Sequence, residues 1–89
     1  MDTHQTPEAI EKQKQFFERA RCGVLQHLQE RGGKLNMSDL HDYSMRKYLI
    51  QHQRFSIMME TFVSEGLVEF DWGTQDVTLT PSGEKFIGK

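Results

Sequence analysis

The sequence predicts an α+β domain, with helices over the longer first part of the chain and a β-hairpin with a short helical tail at its end. Three observations carry this. Phe55, Met58, Met59 and Phe62 recur at helical spacing. Val68, Phe70 and Trp72 alternate with Glu69 and Asp71, and Val77 and Leu79 with Thr78 and Thr80, the period of two of a half-buried hairpin. Gly32-Gly33 and the caps around it cut the helical part into pieces.

The first helix is bounded by Thr6 as N-cap, Pro7 at the first helical position and the double glycine as stop, with Glu8 and Glu11 complementing the positive end of its dipole. About 25 residues give a rod on the order of 37 Å long. Phe17, Ala20, Val24, Leu25 and Leu28 share one face, so the second half packs on the domain. The first half, residues 1–18, reads as an arm projecting from a core formed by residues 19–87, and Ile10, Phe16 and Phe17 on it suggest a symmetric dimer contact. The competing reading folds the arm back over its own domain. Gly23 in mid-helix marks either a bend or a close helix approach.

"KLNM" follows as a short extended stretch, and Ser38 offers an N-cap to a second helix carrying Leu40, Tyr43 and Met45. A third helix runs from about Gln51 to Glu65. No Gly or Pro lies between Ser38 and Glu65, so one continuous helix of about 28 residues competes with two. Length favours two, since globular helices average about 11–12 residues.

The order helix, short strand, helix, helix ending "ETFVSEGLVEF", hairpin and "LTPSGEKFI" resembles the winged helix-turn-helix family of bacterial and archaeal transcription regulators over residues 19–87. The resemblance implies that Gly66 ends a recognition helix, that Leu67 and Val68 open the wing, and that Thr80, Pro81, Gly83 and Glu84 close it with a helical turn. It also implies duplex DNA as partner, with the third helix in a major groove. With the Phe55, Met59 and Phe62 stripe inward, Gln53, Ile57, Glu60 and Ser64 face outward and Arg54 and Thr61 flank them. Gln53 suits adenine, Arg54 guanine or phosphate, and Ile57 a thymine methyl. Arg46, Lys47 and Gln51 complete the DNA-facing set, with His41 and His52 nearby.

The charge map pulls the other way. From Phe55 to Glu84 there is no Lys or Arg, while Glu60, Glu65, Glu69, Asp71, Asp76 and Glu84 are acidic, and the whole chain carries a formal charge of −2. Phosphate affinity comes from cations, so this hairpin opposes DNA. The alternative function is a protein-interaction module without DNA binding, in which Ile57, Trp72, Asp71 and Asp76 meet a basic or apolar partner. A solvated acidic surface is the plain reading of the same charges.

Composition bounds the rest. With 89 residues, 36% hydrophobic and 27% charged, the chain is one small folded domain that buries roughly 60–65% of its unfolded surface. No apolar run approaches a membrane span, no signal peptide is evident, and the single cysteine, Cys22, forms no internal disulfide; the expectation is a cytoplasmic protein. His4, His27, His41 and His52 are too scattered for a metal site, the glycines form no phosphate loop, and no acid/base pair or nucleophile motif is evident, so neither cofactor nor catalytic residue is expected.

Overall fold

A computed structural model describes residues 7–88, with side chains from residue 11 onward. The elements run α1 (Pro7–Glu30), β1 (Lys34–Asn36), α2 (Met37–Tyr48), α3 (His52–Ser64), β2 (Val68–Asp71), β3 (Asp76–Leu79) and α4 (Pro81–Ile87). The three strands form one antiparallel sheet in the order β1-β3-β2, so the β-hairpin takes β1 on its inner edge. The architecture is α+β, four helices on a small sheet.

The helical stripes meet in one core. Ala20, Val24, Leu25 and Leu28 of α1 pack with Leu40 of α2, with Phe55, Met58 and Phe62 of α3, and with Val77 of β3. α1 runs unbroken through Gly23, and a Cβ there would fall 1.7 Å from the Tyr48 hydroxyl oxygen. Gly23 therefore records a close approach of α1 and α2 and not a bend. Phe17 packs against the core and Phe16 meets the Tyr48 ring edge-on at 6.4 Å, whereas residues 11–16 are all exposed. The Ile10 side chain and the Thr6 cap lie outside the described residues.

α2 begins two residues earlier than a Ser38 cap requires. Asn36 is the N-cap: its Oδ1 accepts from the Ser38 N–H at 2.9 Å, while its Nδ2 donates to the Thr74 carbonyl at 3.3 Å. One amide thus caps a helix and ties it to the hairpin turn. Met45 turns outward instead of joining the apolar face of α2.

The break between α2 and α3 is made without glycine or proline. Leu49 adopts the left-handed conformation (φ 57°, ψ 34°), its N–H donating to the Met45 carbonyl and the Ile50 N–H to the Ser44 carbonyl, and its side chain is exposed. Ile50 is buried, and that anchorage holds the turn. Helix α3 ends at Gly66 (φ 74°), where the Gly66 and Leu67 N–H groups return to the carbonyls of Val63 and Phe62. Thr80 then joins this corner to the last helix: its hydroxyl donates to the Gly66 carbonyl and accepts from the Gly83 N–H. At Gly83 the chain passes so close to the corner that a Cβ would sit 2.2 Å from the Leu67 carbonyl oxygen.

Candidate nucleic-acid edge and adjoining groove

The cationic residues gather at the junction of α2 and α3. Arg46 and Lys47 lie in the last turn of α2, where positive charge suits the helix dipole, and Gln51, Gln53 and Arg54 lie at the start of α3; all are exposed. Arg46 is held by Asp42 one turn back at 2.7 Å. Lys47 and Arg54 form no ion pair among the described residues. At 100° per residue, Gln53, Ile57, Glu60 and Ser64 fall opposite the buried Phe55, Met58 and Phe62, with Arg54 and Thr61 on one flank. This is the arrangement the spacing predicts, with Ile57 half exposed at its centre. The Thr61 hydroxyl, however, donates to the Met58 carbonyl at 2.7 Å and is thereby engaged.

The hairpin residues have local partners. Asp71 Oδ1 accepts from the N–H groups of Gly73 and Thr74, and Asp76 pairs with Lys34 of β1 at 3.7 Å. These two acids fold the turn and pin the edge strand, whatever else they meet. Trp72 does not continue the inward row of β2. It lies in the turn after the strand, 83% exposed, its ring standing on Phe70 in a T-shaped contact at 4.7 Å.

Between α2, α3 and the hairpin lies a partly open groove of about 790 Å³. It is floored by Phe55, Met59 and Phe70 and walled by Met37, Val63 and Trp72, with Asp42 and Glu60 as its carboxylates and no Lys or Arg. His41 and His52 also line it, the His41 ring 5.4 Å from that of His52 and 4.8 Å from that of Phe55, with a buried Nε2 that has no hydrogen-bond partner among the described residues. No group of three or more His, Cys, Asp or Glu side chains comes together as a metal-binding cluster among the described residues.

Sequence reasoning missed two features. The groove depends on Trp72 and Val63, which come together only in the folded chain. The second feature was signalled: Arg21 falls within the apolar stripe of Phe17, Val24, Leu25 and Leu28. It is buried, its guanidinium 5.6 Å from the rings of both Phe62 and Phe86, and it pairs with Glu18 and with Glu65 at the end of α3. On the α2-facing side of α1, His27 stacks face to face on Tyr43, ring centroids 3.7 Å apart. Burial, assisted by the Arg31 charge, lowers the His27 pKa below its ordinary 6.5, and burial together with the neighbouring Tyr48 raises that of Tyr43 above 10.

Protein-family models, curated proteins and solved structures offer no match to this chain. Among the described residues no helix is long and apolar enough to cross a membrane.

Proposed function

We propose that this chain is a winged helix-turn-helix DNA-binding protein of the transcription-regulator kind, with α3 as its recognition helix and β2–β3 as its wing. The observation that carries the reading is the exposed edge of Lys47, Gln51, Gln53 and Arg54 at the α2–α3 junction, whose two cations are not spent on ion pairs among the described residues. The element order and the β1-β3-β2 sheet are compatible with that layout. Lys47, Arg54 and, by exchanging Asp42 for phosphate, Arg46 hold the DNA backbone, while Gln53 and Ile57 meet base edges. The wing has no cation of its own, so the duplex is engaged from the helix-turn-helix side. A homodimer through the exposed arm around Phe16 would double this edge and give two half-sites.

Titration of the chain with random duplex DNA across a salt series tests the reading. Micromolar or tighter binding at low salt is expected, with a slope of log K against log salt of about −2 to −3 per copy, because only three cations reach phosphate. Lys47→Ala and Arg54→Ala should each weaken it several-fold. Absence of binding at low salt by correctly folded protein would refute the proposal.

A further inference from the structure

The groove between α3 and the hairpin is not explained by an edge that grips DNA. Its walls are apolar, its charged residues are carboxylates, and Trp72 stands over it with most of its surface in water. Large exposed aromatic surface beside an apolar cleft marks an interaction site. Shape and charge together define the occupant. Residues lining the groove run along α3 from His52 to Ser64, about 18 Å or three helical turns, and the groove is not enclosed, which suits a rod laid along α3 better than an enclosed small molecule. Asp42 and Glu60 line it, Glu69 and Asp71 are exposed on the neighbouring strand, and no Lys or Arg lies among the lining residues. The same field that disfavours a polyanion here favours a cation.

We infer that this groove docks an amphipathic helix of a partner protein, with apolar anchors on one face and Lys or Arg on its flanks. The anchors, at spacings of i, i+4 and i+7, fill the cleft between Met59, Val63 and Phe70, Trp72 folds over them, and the flanking cations meet Glu60 and Asp42. Asp42 is already shared with Arg46, so Glu60, which makes no ion pair among the described residues, is the principal charge contact. Lys47 and Arg54 do not line the groove, so changes there probe the DNA edge alone, whereas Arg46 is tied to the groove through Asp42.

Trp72 is the only tryptophan of the chain and therefore reports on its own groove. The full chain is titrated, with its fluorescence recorded, against a Trp- and Tyr-free helical peptide of Leu and Lys with Leu at the anchor spacing, and against its counterpart with Glu in place of Lys. The expected result is a blue shift saturating at micromolar Lys-peptide, with binding of the Glu-peptide at least tenfold weaker. Glu60→Lys should shrink that preference about tenfold, and Val63→Asp, a change at a half-exposed position, should abolish the shift while circular dichroism shows an unchanged fold. Lys47→Ala and Arg54→Ala should leave peptide binding as it is, so loss of DNA binding and loss of docking are read separately. Equal affinity for both peptides would reduce the groove to a sticky patch and overturn the inference, as would no shift up to millimolar peptide. A Trp72 already shielded in a concentration-dependent dimer, released by Val63→Asp, would overturn it in favour of a second copy of this chain.

Discussion

The two sides of α3 are built to different rules. Toward α1 and α4, the Arg21 guanidinium lies 5.6 Å from the Phe62 and Phe86 rings and reaches Glu65, and the adjoining α1–α2 contact is as close, with the Tyr48 hydroxyl in the space left by Gly23 and His27 and Tyr43 stacked ring on ring. Toward the hairpin, Val63 is nearly half exposed and Trp72 mostly exposed beside a partly open groove. The cause is layering. The first side lies between elements, so its volumes are filled and its buried charge is paired, while the Arg21 Nε is left without a hydrogen-bond partner among the described residues. The second is bordered by α2 and by the short β2–β3 ribbon, whose four-residue strands leave part of α3 uncovered. The exposed apolar surface of Val63 and Trp72 on that side is therefore available to the docking proposed above.

The contrast can be broken by substitution, and the enclosed side should respond most. Gly83→Ala forces a Cβ onto the Leu67 carbonyl oxygen, backbone that cannot swing aside, and should cost about 2–3 kcal/mol in chemical denaturation. Arg21→Ala removes both the packed stem and the pair with Glu65 and should cost about 2 kcal/mol. Arg21→Met, which keeps the stem, should recover more than half of that; if it recovers nothing, the ion pair matters more than the packing.

The stacked pair gives a pH signature. A base whose pKa is lowered on folding binds fewer protons folded than unfolded, so its contribution to stability is complete above the unfolded value of 6.5 and is lost as pH falls below it towards the folded pKa. Thermal unfolding at pH 7.5 and 5.5 should therefore show a smaller acid loss for His27→Phe, which keeps the stacking, than for wild type. An equal loss in both would dissociate His27 from the acid sensitivity.

Smaller effects sharpen the boundary. Leu49→Gly should stabilise by about 0.5–1 kcal/mol, because relief of a left-handed leucine exceeds the entropy cost of the glycine and the exposed side chain gives up almost no packing. Trp72→Ala should change stability by less than about 0.5 kcal/mol despite removing the largest side chain of the hairpin. A loss of 2 kcal/mol there would mean that the groove wall supports the fold, and the distinction between the two sides would fail.

What was legible from residues alone was whatever local physics decides. The helical stripe of Phe55 to Phe62, the alternation in the hairpin, the first helix ending before Gly32, and the exposed Gln53, Arg54 and Ile57 all follow from periodicity and caps, because burial of one face selects the period. Other features depended on distant groups. Asn36 replaces Ser38 as cap because its amide can also reach Thr74, and the break at Leu49 exists because burial of Ile50 outweighs a strained backbone. Arg21 could be recognised as odd within its stripe, but its partners, some forty residues and more away, could not. The groove is the extreme case: a cleft is the space between elements, and only their tertiary arrangement decides whether that space is filled.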